Sequence, residues 1–302
     1  MNIKELKIYF VDAVSELYPS EEVQSFFNLL SEKYLEMSRI EIALKSDKSI
    51  SKATILKFKE AIQRLKNFEP IQYIIGETEF FGLLFKVDEN VLIPRPETEE
   101  LVTWILEEVK EKRGEGKEKR KERREERGDE FEILDIGTGS GCIAISLASK
   151  LSEMNIIALD ISKGALEVAK QNAKLNKVKA KFIEADILNS NTWNLKFENL
   201  EFNCIVSNPP YVRELEKELM EPNVVKHEPA TALFVKDNDP LLFYRKIAQF
   251  GKKYLTPNGL LFFEINEYLG ESMLELLKEE GYSEIEIKKD IFGKDRMIKC
   301  KR

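Results

Sequence analysis

The chain has 302 residues, of which 43% are hydrophobic and 33% are charged, and its formal net charge is −7. This composition allows a packed core and excludes a globally disordered chain, and the length is that of about two ordinary domains. The acidic balance argues against a protein that binds nucleic acid over a broad basic surface, although a local basic patch would still allow it.

Residues 1–74 are predicted to form a small helical bundle. Apolar residues recur there at helical spacing in three stretches; Ser49 or Ser51 can cap the third, and Pro70 is expected to end it. The stripes are expected to form the bundle core, and one face could also bind a partner. They consist of Leu6, Phe10, Ala13 and Leu17, then Val23, Phe26, Phe27, Leu30 and Tyr34, then Ile55, Phe58, Ala61, Ile62 and Leu65.

Residues 75–95 are predicted to form a hairpin that links two domains. Aromatic and branched residues typical of strands become frequent from Tyr73 and Ile74 onward, and Gly76 and Gly82 mark candidate turns. This strand-rich segment lies between the predicted helical bundle and the following region of the chain, which is the position expected of an interdomain linker.

A charged insert, residues 110–130, follows a short amphipathic helix predicted over Leu101–Val109. Every residue of the insert is charged except Gly114, Gly116 and Gly128. Because the two signs of charge are closely mixed, we expect a solvated helix extension or a flexible insert. A nucleic-acid-binding arm would be more one-sidedly basic.

From residue 131 the chain alternates strand-like and helical segments, which indicates a parallel sheet covered by helices on both faces. Strands are predicted at Glu132–Ile136, Asn155–Leu159, Ala180–Ala185, Asn203–Ser207 and Leu260–Ile265. Helices are predicted at Cys142–Leu151, Lys163–Leu175, Pro240–Tyr254 and Glu271–Glu280. The chain ends in a predicted strand pair, Ser283–Lys288 and Arg296–Lys301. Residues 96–302 are the predicted catalytic domain.

A glycine-rich loop, Asp135-Ile136-Gly137-Thr138-Gly139-Ser140-Gly141, joins the first of these strands to a helix. Glycines allow a tight turn and a close approach of the backbone to a ligand, and the helix N-terminus offers unpaired N–H groups. The loop fits a dinucleotide or S-adenosylmethionine. Its G-x-G-x-G spacing and the acid before the first glycine favour S-adenosylmethionine, and an ordinary glycine-rich turn is the remaining alternative.

Carboxylates end the next two strands. Asp160 can accept hydrogen bonds from both ribose hydroxyls of a nucleoside cofactor. Asp186 would lie near the adenine and could accept from its exocyclic amine. The alternative for Asp186 is a helix cap or a turn residue.

The tetrapeptide Asn208-Pro209-Pro210-Tyr211 directly follows a strand, and the carboxyl end of a central strand is where α/β sheets carry out chemistry. Consecutive prolines stiffen the turn, while their carbonyls and the Asn208 oxygen remain as hydrogen-bond acceptors. Two rigid acceptors suit an –NH2 group, and Tyr211 could stack on a flat group beside it. The alternative is a rigid loop without chemistry.

A planar nitrogen has a delocalised lone pair, and no side-chain base could usefully deprotonate it at neutral pH. Binding both of its hydrogens can draw the nitrogen toward a tetrahedral form and aim its lone pair at a methyl carbon, so positioning is the main task. We therefore predict an S-adenosylmethionine-dependent methyltransferase of a planar nitrogen, with Asn208–Tyr211 as the catalytic residues.

Metal and membrane chemistry have no support in the sequence. The cysteines, Cys142, Cys204 and Cys300, show no metal-ligand spacing and are expected to be reduced thiols. The N-terminus lacks the pattern of a signal peptide, and no stretch approaches the run of about 18 apolar residues of a membrane helix. We expect a soluble cytoplasmic protein.

The sequence resembles the HemK/PrmC family, the N5-glutamine methyltransferases of bacterial peptide chain release factors. The first two of the blocks that carry the resemblance are far more specific than the tetrapeptide, which many amino-methyltransferases share. The blocks are Pro70–Gly76, Val91–Glu99, the glycine loop, Asp160–Ser162, Ser207–Tyr211, and His227–Pro229 with Ala232–Phe234.

The resemblance implies an α/β fold class, namely a Rossmann-like S-adenosylmethionine-dependent methyltransferase domain with a mostly parallel seven-stranded sheet and a terminal antiparallel strand. In the sequence this domain is preceded by a small all-helical domain of five helices, which holds the protein substrate. Substrate residues would be Asn208–Tyr211 together with Arg95 and Thr98, which shape the methionine end of the pocket. The implied cofactor residues are Gly137, Thr138, Gly139, Ser140, Gly141, Asp160, Asp186, Ile187 and Asn208.

The resemblance also implies the reaction: methylation of the glutamine in the Gly-Gly-Gln motif of release factors. Alternatives are a ribosomal-protein glutamine methyltransferase and a DNA or RNA amino-methyltransferase. We expect a monomer with no stable nucleic-acid binding and a structural or gating role for His227. The sequence departs from the family in the charged insert, in residues 235–240, and at Asn266, where glycine is common.

Overall fold

The computed structural model describes residues 1–115, 131–190, 193, 196–197 and 200–302. The predicted insert lies outside the described residues from position 116 onward. The described chain forms two compact units. One comprises Met1–Glu77 and Glu221–His227, and the other comprises Thr78–Met220 and Glu228–Arg302.

The helices and strands are numbered separately in chain order. The helices are α1 (Ile3–Val14), α2 (Ser20–Leu35), α3 (Arg39–Leu44), α4 (Lys52–Lys66), α5 (Ile71–Ile75), α6 (Pro96–Glu115), α7 (Cys142–Lys150), α8 (Lys163–Leu175), α9 (Pro222–His227), α10 (Ala230–Leu233), α11 (Leu242–Tyr254) and α12 (Gly270–Glu279), with a 3-10 helix at Glu214–Leu219. The strands are β1 (Glu77–Phe80), β2 (Leu83–Lys86), β3 (Glu132–Ile136), β4 (Asn155–Asp160), β5 (Lys181–Glu184), β6 (Phe202–Ser207), β7 (Val212–Arg213), β8 (Phe234–Val235), β9 (Leu255–Glu264), β10 (Ser283–Lys289) and β11 (Asp295–Lys301).

The first unit is a helical bundle, and its three predicted helical stretches are confirmed as α1, α2 and α4, except that Leu17 follows the end of α1 and is exposed. Phe10, Phe27 and Phe58 are fully buried, with ring centroids 5.6, 5.8 and 6.4 Å apart. Burial of such side chains contributes about 1.5–3 kcal/mol each. Ser51 caps α4, since its hydroxyl accepts a hydrogen bond from Thr54 N.

Two predictions in this region are wrong. Helix α4 ends at Lys66 and not at Pro70, because Phe68 adopts φ +62° and stops the helix earlier. Tyr73 and Ile74, predicted in a strand-rich segment, lie in α5. That helix starts after Pro70, whose fixed φ suits a helix N-terminus, and it stops at Gly76 with φ +79°.

The second unit contains a seven-stranded sheet in the order β10-β11-β9-β6-β3-β4-β5. All neighbouring pairs from β9 to β5 are parallel, and β11 runs antiparallel to both of its neighbours. The predicted fold class is therefore confirmed. Strand β9 is longer than predicted and begins at Leu255, and α6 extends the predicted helix at both ends.

The strand order reverses beside β3, since β4 and β5 continue on one side and β6 lies on the other. Ile136 at the end of β3 pairs with Leu159 of β4 and with Ser207 of β6. A parallel sheet has its ligand crevice at such a switch point, outside the carboxyl ends of the strands. The glycine loop and the tetrapeptide both start there. No helix in the described ranges is both long and apolar enough to cross a membrane.

Candidate active site

A cavity of about 370 Å³ lies at the carboxyl ends of β3, β4, β5 and β6. Its volume is in the range of small-molecule sites, about 300–1,000 Å³. The structure brings most predicted site residues together in its wall, whereas Gly141 and Tyr211 do not line it. The predicted residues that do are Arg95, Thr98, Gly137, Thr138, Gly139, Ser140, Asp160, Asp186, Ile187, Asn208, Pro209 and Pro210.

The glycine loop is held at its start by the neighbouring strand. Gly137 N and Thr138 N both donate to Leu159 O, at 2.8 and 3.0 Å. Gly137 and Gly139 have φ of +75° and +53°, and a Cβ added at either position would meet no atom of the described residues within 4 Å. No side chain covers the backbone of Gly137 and Gly139 on the cavity side, so a bound ligand can approach this backbone closely.

Gly141 has a different role from the other two glycines. It precedes α7 with φ +82°, and a Cβ there would lie 2.8 Å from Ile145 Cδ1 and 3.1 Å from Ala169 Cβ. Ala169 belongs to α8, so the absence of a side chain at Gly141 lets α7 and α8 pack closely. This glycine therefore serves close packing, and it does not line the cavity.

We expect Gly141→Ala to lower the free energy of unfolding by about 2–4 kcal/mol, because positive-φ strain adds to overpacking. Gly139→Ala should lower the free energy of unfolding by only about 1–2 kcal/mol, because it introduces positive-φ strain without overpacking. Its added Cβ would lie in the cavity, so this variant should weaken ligand binding. Chemical denaturation and calorimetric titration with S-adenosylmethionine would measure the two effects. Equal losses of stability would contradict the assignment.

Asp135 anchors the loop from within the core. It is fully buried, and its Oδ2 accepts hydrogen bonds from Thr138 Oγ1 at 2.6 Å and from Ala144 N at 3.2 Å. Its Oδ1 has no hydrogen-bond partner among the described residues. Burial raises the pKa of Asp135 to about 7 although both donors oppose the rise. Burial thus shifts this carboxyl toward its neutral form, which lessens the cost of placing it in the core.

Asp160 lies at the end of β4, where the backbone fixes both of its oxygens. Oδ2 accepts from Gly139 N and Oδ1 accepts from Ser162 N, each at 2.9 Å. Burial raises the pKa of Asp160, and the backbone donors lower it. Each carboxylate oxygen can accept a second hydrogen bond, so a pair of vicinal hydroxyls could bind to this preset group.

Asp186 is both a turn residue and part of the cavity wall. Its Oδ1 accepts from Leu188 N at 2.8 Å, which is the local bond of an Asx-turn. The turn places the buried Ile187 beside it in the wall. The two interpretations from the sequence are therefore compatible in space, and contact with adenine stays a prediction.

The tetrapeptide leaves β6 beside the glycine loop. Ser207 Oγ donates to Ile136 O at 2.7 Å and joins the ends of the two strands. Tyr211 packs against the hydrophobic core, and its hydroxyl donates to Glu264 Oε1 at 3.0 Å. These contacts fix the position of the Tyr211 side chain, and its stacking on a flat substrate group stays a prediction.

Glu264, at the end of β9, was not assigned a function from the sequence. It is only 1% exposed, and its Oε2 accepts from Thr98 Oγ1 at 2.6 Å. Burial raises the pKa of Glu264, whereas the hydrogen bonds from Thr98 and Tyr211 and the charge of Arg296 lower it. The signal was present, because Glu264 ends a buried apolar strand in the same way as Asp160.

Another buried carboxylate, that of Glu228, holds the segment before α6. Glu228 Oε1 accepts from Arg95 Nη2 at 2.6 Å, and its Oε2 accepts from Ile93 N at 3.1 Å. Glu228 is 5% exposed, whereas the Arg95 side chain is 33% exposed, so only the carboxylate end of this ion pair is removed from water. Arg95 lines the cavity while its charge is already compensated.

Two of the positions that depart from the family pattern, Asn266 and Val235, have identifiable partners. Asn266 Nδ2 donates to Tyr211 O at 3.2 Å and to Glu216 Oε2 at 3.1 Å. Val235 pairs with Arg213 in a small parallel ladder.

His227 lies in the helical unit, with its Nε2 2.9 Å from Asn67 O, and does not line the cavity. In the described ranges, no group of three or more His, Cys, Asp or Glu side chains could hold a metal ion.

Two family models match the chain, the PrmC N-terminal domain at residues 12–76 and the methyltransferase small domain at residues 123–230. A protein of Flavobacterium psychrophilum described as release factor glutamine methyltransferase is 46% identical over 299 residues, 99% of each chain. One of the same description from Bacteroides thetaiotaomicron is 40% identical over 294 residues, 97% of this chain and 98% of its own.

Solved structures support the fold. The crystal structure of the hMettl16 catalytic domain in complex with MAT2A 3′UTR hairpin 1 has a TM-score of 0.55 and 16% identity, and the match covers 91% of this chain and 90% of that one. At this identity the similarity concerns the fold alone.

Proposed function

The chain belongs to the release factor glutamine methyltransferase family, and from this premise we propose that it methylates N5 of the glutamine in the Gly-Gly-Gln motif of peptide chain release factors. The methyl donor is S-adenosyl-L-methionine. The observation that carries the proposal is the position of Asn208, Pro209 and Pro210 in the wall of the cavity that the glycine loop and Asp160 also line.

The cavity fits the cofactor. Gly137 and Gly139 leave the space that a Cβ would fill, and Asp160 presents two prearranged acceptors to ribose hydroxyls. Ile161 and Ile187 offer apolar surface to the adenine. When bound, the cofactor supplies a methyl group carried on a positively charged sulfur.

The protein's task is to prepare a poor nucleophile. A glutamine amide nitrogen shares its lone pair with the carbonyl, so it attacks only when drawn toward a tetrahedral form. We assign the two hydrogens of the amide to Asn208 Oδ1 and to the carbonyl oxygen of Pro209, which the proline turn holds rigidly. Holding the nitrogen in this way aims its lone pair and removes the entropic cost of finding the geometry. The N-methylated amide nitrogen is strongly acidic and releases its extra proton to water, so no general base is required.

The remaining assignments extend this proposal. In this proposal, residues 1–74 form the domain that holds the protein substrate, and residues 96–302 form the domain that catalyses methyl transfer. Residues 75–95 are the hairpin that links the two domains. We expect a monomer that acts in the cytoplasm, where release factors work, without stable binding to nucleic acid or membranes. The −7 net charge supports weak affinity for nucleic acid.

The test is transfer of labelled methyl from S-adenosyl-L-methionine to a purified release factor, with the Gln→Ala variant of its Gly-Gly-Gln motif as the control. We expect about one methyl group on the wild-type factor and none on the variant. Equal labelling of both would place the methyl on another residue. Labelling of a ribosomal protein, DNA or RNA instead would support the corresponding alternative and reject release factors as substrates.

A further inference from the structure

The hydroxyl of Thr98 lies between the tetrapeptide and the buried carboxylate of Glu264. Thr98 Oγ1 is 2.6 Å from Glu264 Oε2 and 3.5 Å from Asn208 Nδ2. Thr98 is 2% exposed and Glu264 is 1% exposed, so water does not compete for these bonds. The three side chains therefore form a chain of polar contacts that starts at two buried groups and ends at the part-buried, proposed catalytic asparagine.

The direction of each hydrogen bond follows from the chemistry of the groups. An ionised carboxylate only accepts, so Thr98 must donate its single hydroxyl proton to Glu264. The Thr98 oxygen can then act only as an acceptor toward Asn208. The Asn208 amide must therefore direct its NH2 group, and not its carbonyl oxygen, toward Thr98. Burial raises the pKa of Glu264, but two hydroxyl groups, Thr98 at 2.6 Å and Tyr211 at 3.0 Å, and the nearby charge of Arg296 favour the ionised form, in which both carboxylate oxygens accept.

The orientation of the Asn208 amide decides whether the site can work. The two ends of the amide have nearly the same shape, and packing alone does not distinguish them. With NH2 toward Thr98, the carbonyl oxygen is left for the cavity as an acceptor. In the inverted orientation, an NH2 group would face the NH2 group of the substrate, and two donors cannot bond to each other.

We propose that Glu264 and Thr98 are positioning residues that fix the orientation of the Asn208 amide, so that its oxygen faces the substrate nitrogen. This role rests on the proposed function and deepens it. It differs from the role that family resemblance implies for Thr98, namely shaping the methionine end of the pocket. The same carboxylate accepts directly from Tyr211 and is linked to Asn208 through Thr98, so Glu264 is connected to both ends of the tetrapeptide.

The test compares Thr98→Val with Thr98→Ser. Valine keeps the shape of threonine but lacks the hydroxyl, whereas serine keeps the hydroxyl. We expect Thr98→Val to lower kcat by about 10- to 100-fold, with the KM for release factor and the Kd for S-adenosylmethionine within about two-fold of wild type. Thr98→Ser should restore kcat to within about three-fold of wild type.

Thr103→Val is the matched control. Thr103 lies on the same helix, is exposed, and its hydroxyl donates only to Glu99 O at 2.9 Å. It should keep wild-type kinetics. Thermal unfolding and cofactor titration of every variant separate a folding defect from a positioning defect, because both measurements are independent of methyl transfer.

Three results would overturn the proposal: a wild-type kcat in Thr98→Val, equal losses in the valine and serine variants, or a loss of cofactor affinity that matches the loss of kcat. The last result would support the role at the methionine end instead. Failure of the wild-type enzyme to methylate release factor would reject the proposed function, a separate outcome that the wild-type reaction reveals before any variant is compared.

Discussion

Asn208→Ala is expected to lower kcat for methyl transfer by about 10²- to 10³-fold, because it removes one of the two acceptors that prepare the substrate nitrogen. The loss corresponds to about 2.7–4 kcal/mol of transition-state stabilisation. Single-turnover transfer of labelled methyl to a release factor would measure the chemical step without product release.

The matched control is Asn203→Ala at the opposite end of the same strand. Asn203 Oδ1 accepts a hydrogen bond from Glu132 N at 2.9 Å, so this variant loses a structural bond but no group of the cavity. It should reduce stability by about 1 kcal/mol and leave kcat unchanged. If Asn208→Ala retained more than a tenth of wild-type kcat, the acceptor role of Asn208 would be rejected.

Asp160→Ala is expected to weaken binding of S-adenosylmethionine by about 10²- to 10⁴-fold. Hydrogen bonds to a charged group contribute about 1.5–3 kcal/mol each, and the variant loses the acceptors for two ribose hydroxyls. The variant also loses the hydrogen bonds that Gly139 N and Ser162 N donate to the Asp160 carboxylate in the wild-type protein. Isothermal titration calorimetry would give the Kd directly.

Asp290→Ala provides the control for lost backbone support. Its Oδ1 likewise accepts from two backbone donors, Phe292 N at 2.9 Å and Lys294 N at 3.0 Å, but it does not line the cavity. It should lower stability without changing the Kd for the cofactor. A similar Kd for wild type and Asp160→Ala would exclude Asp160 from cofactor binding.

Much of the fold and part of the site could be predicted because the signals are local in sequence. Strand–helix alternation and the glycine loop require only neighbouring residues, and a carboxylate at the end of an apolar strand identifies Asp160. The tetrapeptide is likewise contiguous. The rule that ligands bind at the carboxyl ends of parallel strands then predicts that these groups share one cavity.

Other features could not be predicted because they depend on contacts between distant residues. Thr98 and Glu264 are 166 positions apart, and Arg95 and Glu228 are 133 apart. Each is an unremarkable polar residue in its own segment. The direction of Tyr211 also depends on Glu264, 53 positions away, since a buried hydroxyl points toward an available acceptor.

The sequence by itself determined the class of chemistry, because residue type and spacing specify which groups leave β3, β4 and β6, and the periodicity of apolar residues specifies the layers that carry them. Only the tertiary structure decided how those groups are held: which carboxylate accepts from Thr98, which glycine serves packing and which faces the cavity. These details follow from hydrogen bonds and close packing between segments, which exist only once the chain has folded.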